Sequence, residues 1–219
     1  LQTVFNIKPT RIFTIPSGTE PPADLMPKEE ARLKVIRELG LNPDSRFIGF
    51  VGRLSEDKGI SVIIKAFQII ESRLPDYHLV IVGLGLDAYI EALKKRAAKL
   101  NISDRVHFPG FKEDVWPYYR AFDCCLLASQ DIGGVPFEGV PQSILEAMFS
   151  SCPVVGSRSG GIVDVITDKK TGLLFDGKRP EDLAEKAITA VTGQHASAKR
   201  AETALEMVNK KYTIDAMGR

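Results

Sequence analysis

Long apolar runs are missing from this chain, and none approaches the roughly 20 residues that a membrane-crossing helix needs. The opening stretch, LQTVFNIKPTRIF, holds no long apolar core either, so no secretory signal is expected. An excess of charge of one sign is also missing. The net charge of +1 argues against a general nucleic-acid binder, whose affinity rests on many phosphate-neutralising cations. Cysteine is scarce: Cys124, Cys125 and Cys152 lack paired spacing and fall on segments that read as buried. That speaks against a disulfide framework and suits buried thiols in a reducing compartment, so a cytoplasmic location is expected. There is no Asp-x-Asp pair and no His, Cys and carboxylate cluster at ligand spacing. No metal and no resident cofactor are therefore expected. The chain begins at Leu1 rather than Met, as a piece excised from a longer protein would.

What is present is ordinary globular material. The 219 residues are 44% hydrophobic, enough for one large domain. Residues 11–15, RIFTI, read as a short strand, and 19–27 as a Pro-rich loop. A helix is expected over 28–39, with Leu33, Ile36 and Leu39 on its apolar face and Gly40 as its cap. Apolar runs at 47–51 (FIGFV), 78–83 (HLVIVG), 105–108 (RVHF), 123–129 (DCCLLAS), 153–157 (PVVGS) and 172–175 (GLLF) read as strands. Helices are expected between them, at 60–74, 88–100, 115–121, 141–151 and from 160. Two more, at 180–192 and 196–211, close the chain. The polar GQHASAK, 193–199, reads as a flexible connection.

Strand and helix alternate, and the strands are uninterrupted apolar runs. Such strands are covered on both faces, which means a parallel sheet with helices on each side. Right-handed crossovers make this a doubly wound, Rossmann-like α/β fold, with ligands beyond the carboxyl ends of the strands.

The informative polar residues fall at those ends. Arg53 and Lys58 share the loop after FIGFV, with Gly52 allowing a tight exit from the strand. Two cations there suit a diphosphate, Arg as a fork of donors and Lys as a point charge. They could stabilise charge on a departing diphosphate, as a metal does elsewhere. The stretch FEGVPQSILEAM, 137–148, places Glu138 on a loop and Glu146 on the helix that follows. Pro141 suits the first helical position. The N–H groups of Gln142, Ser143 and Ile144 are then free at a helix N-terminus, which is an anion site. Gly139 permits close approach to the backbone. Carboxylates beside an anion cradle suit a ligand with hydroxyls as well as phosphates, as a sugar nucleotide has.

VGRLSEDKG, VIVGLG, VHFPGF, PFEGVPQSILEAM, PVVGSRSGGIVDVI and TGLLF, in this order over roughly residues 10–192, resemble the C-terminal donor-binding domain of the retaining GT-B-type glycosyltransferases. The family is glycosyl transferases group 1, with two glutamates spaced by seven residues. The resemblance implies a single Rossmann-like domain over 1–219 that forms one half of a GT-B architecture. It implies that Arg53 and Lys58 contact the diphosphate, Glu138 the donor sugar and Glu146 the ribose. The backbone of Gln142 and Ser143 would hold the phosphates. Gly52, Gly139, Val140 and Pro141 belong to the same donor surface, and Lys112 and Asp114 would lie near the base. The implied activity is hexosyl transfer from a UDP- or GDP-sugar, metal-independent, by front-face attack with a diphosphate oxygen taking the acceptor's proton. In the family an N-terminal domain binds the acceptor. No residues here match it, so weak or no transfer is expected of this chain alone. Membrane association, at the inner face, is expected only through that absent half.

Three rival readings compete with this one. Residues 83–88, Gly-Leu-Gly-Leu-Asp-Ala, fit a dinucleotide fingerprint between strand and helix. The acid that should follow on the next strand tip is missing, where Pro109-Gly110-Phe111-Lys112 stands. A tight turn lining a cleft is the preferred reading. The second rival is a sugar-nucleotide epimerase of the same fold, and the third a non-catalytic nucleotide-binding module. Arg53 could instead pair with Glu56 or Asp57. His78 and His107 read as packed residues, Trp116, Tyr118 and Tyr119 as core rather than base-stacking groups, and Asp164 as a helix-start carboxylate.

Overall fold

The computed structural model describes residues 17–131 and 138–217. The expected strand at 11–15, and Phe137, lie outside the described residues. Six strands form one all-parallel sheet: β1 (Arg46–Val51), β2 (Tyr77–Val82), β3 (Val106–Gly110), β4 (Cys124–Leu127), β5 (Val154–Ser157) and β6 (Leu173–Phe175). Their order is β3-β2-β1-β4-β5-β6, so the winding reverses between β1 and β4. β1 pairs with β2 from Arg46↔Tyr77 to Val51↔Val82, and with β4 through Ile48↔Cys124. All six residues of β2 and all four of β4 are buried, which is why their sequences run apolar without alternation.

One face of the sheet carries α1 (Lys28–Leu39), α4 (Trp116–Ala121), α5 (Gln142–Phe149) and α8 (Gln194–Lys211). The other carries α2 (Ile60–Arg73), α3 (Asp87–Lys99) and α7 (Pro180–Thr192). Two four-residue helices, α6 (Ile162–Val165) and α9 (Ile214–Met217), complete the set among the described residues. Gly40 ends α1 in the left-handed conformation at φ 65°.

Three expectations need correction. α1 buries Ala31, Val35 and Ile36, whereas Leu33 is 50% exposed, because the steps of four and one residues track the 3.6-residue turn better than steps of three. Residues 194–199 are not a flexible connection but the first turns of α8. Gly193 alone separates α7 from α8, and burial of Ser197, Ala201, Ala204 and Val208 holds the helix despite its polar start. Finally, α5 begins at Gln142, with Pro141 as its extended cap rather than its first helical residue. Among the described residues no helix is long and apolar enough to cross a membrane.

Candidate active site at the switch point

The reversal between β1 and β4 separates the loops that leave those two strands, and ligands of doubly wound folds sit in such a crevice. A cleft of about 370 Å³ lies here. Gly52, Arg53 and Lys58 line it from the β1 loop; Glu138, Val140, Gln142, Ser143 and Glu146 line it from the β4 loop and α5. Residues 80 positions apart thus meet: Lys58 Nζ donates to Glu138 Oε2 at 2.7 Å. Ser129, two residues past β4, donates its hydroxyl to the same oxygen. Both partners are mostly buried, with side chains 19% and 10% exposed.

Arg53 is placed differently. Its guanidinium donates to Asp57 at 3.1 Å, and its side chain is 67% exposed. The surface pair weighed from sequence is therefore present, although Arg53 still lines the cleft. An exposed pair of this kind contributes only about 0–1 kcal/mol, so Arg53 can leave Asp57 at little cost.

At the start of α5, the N–H groups of Ile144 and Leu145 bond to the Pro141 carbonyl, at 3.0 and 3.2 Å. The Ile144 N–H is thus engaged, contrary to expectation, because Pro141 caps the helix from outside. The N–H groups of Gln142 and Ser143 have no partner among the described residues. They and the positive end of the helix face the cleft as a small anion cradle. Glu146 lies one turn beyond Gln142. Burial pushes its carboxyl above the ordinary carboxylate value, and a 2.8 Å hydrogen bond from the Tyr119 hydroxyl partly opposes the shift.

Sequence reasoning missed the parts that hold this loop. Tyr119 reads as plain core, and it is fully buried, yet its hydroxyl orients Glu146. Gly160 and Gly161, after β5, pack against the glutamate loop. The Gly161 N–H donates to the Glu138 carbonyl at 2.9 Å. A Cβ on Gly161 would stand 2.2 Å from the Gly139 carbonyl oxygen, and one on Gly160 2.5 Å from that of Glu138. A paired glycine at a strand exit was the available signal. Ser157 reinforces the same layer by donating to the Ser129 carbonyl at 2.6 Å.

Lys112 and Asp114 stand outside the cleft. Lys112 pairs with Glu38 of α1, and Asp114 accepts from the Trp116 N–H. The glycine-rich turn of residues 83–85 follows β2, one strand away from the switch point. A Cβ on Gly83 would fall 1.8 Å from the Gly52 carbonyl oxygen, so this glycine serves loop-to-loop contact. Asp164 lies in the first turn of α6, and Tyr118 is buried with its hydroxyl on Glu38. His78 and His107 are joined at 2.9 Å near the amino ends of β2 and β3, away from the cleft. Cys124, Cys125 and Cys152 are buried free thiols.

An open doubly wound sheet with cations, paired glutamates and a helix N-terminus gathered at its switch point defines a Rossmann-like class of ligand-binding α/β domain. Within that class, the chain belongs to the glycosyl transferases group 1, whose family model matches residues 32–207. It is 30% identical over 192 residues to the GDP-mannose-dependent alpha-(1-6)-phosphatidylinositol monomannoside mannosyltransferase of Mycolicibacterium smegmatis, covering 86% of this chain and 48% of that protein. Its fold matches Anabaena HepE, crystallised with UDP and glucose, with a TM-score of 0.77 at 23% identity, over 86% of this chain and 50% of that one. It also matches the C-terminal domain of a glycosyl transferase group 1 family protein from Francisella tularensis, with a TM-score of 0.73 at 22% identity, over 91% of this chain and 97% of that one. The chain spans about half the length of the curated relatives it matches.

Proposed function

We propose that this chain is the donor half of a retaining, metal-independent hexosyltransferase that takes a UDP- or GDP-sugar. The observation that carries the reading is the meeting of Lys58 with Glu138 beside the Gln142 and Ser143 N–H groups, which have no partner among the described residues, with Glu146 one turn away. Arg53, released from Asp57, and Lys58 would bind the diphosphate and stabilise its charge as it departs. The α5 N-terminus would bind the same phosphates, Glu146 the ribose diol, and Glu138 the hydroxyls of the sugar. The relatives support this reading: one is described as GDP-mannose-dependent, and a fold neighbour was crystallised with UDP and glucose.

Glu138 Oε2 already accepts from Lys58 and Ser129, which makes the carboxylate a poor nucleophile. A front-face reaction suits that environment. The acceptor hydroxyl bonds to the anomeric carbon, the bond to the diphosphate breaks on the same face, and a diphosphate oxygen takes the proton. The acceptor would be held by an N-terminal domain of the longer protein, in the cytoplasm. This chain alone would bind donor and transfer weakly or not at all.

Calorimetric titration with UDP, GDP, ADP and NAD, with and without Mg²⁺, tests the proposal. Metal-independent binding of one diphosphate, weakened at least tenfold by Arg53→Ala, is the expected result. Preference for NAD, or robust sugar transfer by this chain alone, would overturn it.

A further inference from the structure

The stretch that leaves β4 is held at three consecutive residues. Ser129 donates to the Glu138 carboxylate, the Gln130 N–H donates to the Asp57 carbonyl at 2.9 Å, and the Asp131 carboxylate accepts from the Ser159 hydroxyl. The turn after β5 supplies the opposing points. Ser157 donates to the Ser129 carbonyl, Ser159 to Asp131, and the Gly161 N–H to the Glu138 carbonyl. These bonds close a ring. It runs from Glu138 to Ser129, along the chain to Asp131, across to Ser159, along the chain to Gly161, and back to Glu138. Asp131 and Glu138, which bracket the segment between β4 and α5, are thereby clamped to one short turn.

Ser129, Ser157 and Ser159 are all buried. A buried polar network whose members are bonded fixes one arrangement of the loops that carry it. The two hydroxyls that end on carboxylates, at Glu138 and Asp131, make the stronger kind of bond. The consequence falls on Glu138. Its Oε2 takes the bonds of Lys58 and Ser129, whereas its Oε1 has no partner among the described residues. Ser129 fixes the rotation of that carboxylate only while Ser129 itself is fixed, and Asp131 is two residues away. Neither Ser159 nor Asp131 lines the cleft, so both act through other residues.

We propose that Ser159 and Asp131 are positioning residues for the sugar of the donor. Their bond keeps Ser129 on Glu138 Oε2 and so leaves Oε1 aimed at the sugar hydroxyls. The inference rests on the donor reading above and deepens it. It confines the defect to the sugar, because Arg53, the α5 N-terminus and Glu146 stand outside the ring.

Calorimetric titration of UDP against UDP-glucose, and of GDP against GDP-mannose, gives the sugar's share of the affinity as the ratio of two dissociation constants. Ser159→Ala and Asp131→Ala should each cut the advantage of the sugar nucleotide about tenfold, the scale of one hydrogen bond to a charged group, and leave UDP or GDP bound within about twofold of the parent. Asp131→Asn keeps an acceptor for the Ser159 hydroxyl and should restore most of the advantage. In a Glu138→Ala background, Ser159→Ala should change nothing further. Without ligand, the Gly161 amide should exchange its hydrogen faster in Ser159→Ala, while the amides of β2 hold. Equal weakening of both ligands, an unchanged ratio, or the same loss with Glu138 already removed overturns the inference and leaves the donor reading standing. A parent protein that binds neither nucleotides nor sugar nucleotides overturns both.

Discussion

Gly161→Ala isolates the coupling between the β5 exit and the glutamate loop. Gly161 has φ −70° and ψ 0°, which any residue adopts, so alanine brings no backbone strain. The whole cost is contact: the new Cβ would stand 2.2 Å from the Gly139 carbonyl oxygen and 2.7 Å from its carbon. Backbone cannot rotate away as a flexible side chain can, so the Glu138–Gly139 segment must retreat by roughly 1 Å. Overpacking on this scale destabilises by about 1–3 kcal/mol. The larger effect falls on binding, because a displacement of about 1 Å at a positioning group is worth on the order of 100-fold. It also pulls Glu138 away from Lys58 and Ser129. Gly139→Ala is the matched control. A Cβ there meets nothing within 4 Å in the free protein, so stability should hold. A ligand that passes close to this backbone would still be blocked. Urea unfolding and nucleotide titration of both variants are the assays. The expected pattern is lost stability and lost binding for Gly161→Ala, but lost binding alone for Gly139→Ala. Unchanged binding by a folded Gly161→Ala protein would refute the claim that this contact positions the loop.

Other outcomes follow from the same geometry. Glu146→Gln should hold or raise stability while weakening UDP or GDP binding about tenfold. Burial disfavours the ionised carboxylate, and a glutamine can still accept from Tyr119, so a joint loss of stability and binding would count against it. Lys58→Ala should cost about 2 kcal/mol in urea unfolding, because Glu138 is left mostly buried without its cation. Glu138→Ala in the same chain should recover part of that loss. The buried His78 has its pKa lowered to about 4, by burial first and then by His107 and Arg105. A depressed histidine contributes stability above its unfolded pKa of 6.5 and loses it as pH falls toward 4. Stability should therefore drop by about 2 kcal/mol between pH 7 and 4, with residual solvation discounted, and His78→Gln should flatten that slope.

Much of the architecture was legible. Continuous apolar runs such as HLVIV announce strands buried on both faces, and their alternation with helical segments implies a parallel sheet. The positions of Arg53 and Lys58 in the loop after β1, and of Glu138 and Glu146 in the loop and helix after β4, were equally visible. Local pattern failed where long-range packing decides. The polar stretch 194–199 is helical because α8 buries Ser197 and Ala201, which no local propensity announces. Pro141 moved from first helical residue to cap, and that shift engages the Ile144 N–H while leaving the Gln142 and Ser143 N–H groups without a partner among the described residues.

The sequence by itself thus determined the element types, the sheet's burial and which charged residues stand at its ligand edge. All of these follow from local chain periodicity and residue chemistry. Only the tertiary structure decided who pairs with whom. Lys58 turns to Glu138 across 80 residues, and Tyr119 turns to Glu146 across 27. Such partnerships depend on crossovers that bring distant loops within 3 Å, and spacing along the chain carries no record of that distance.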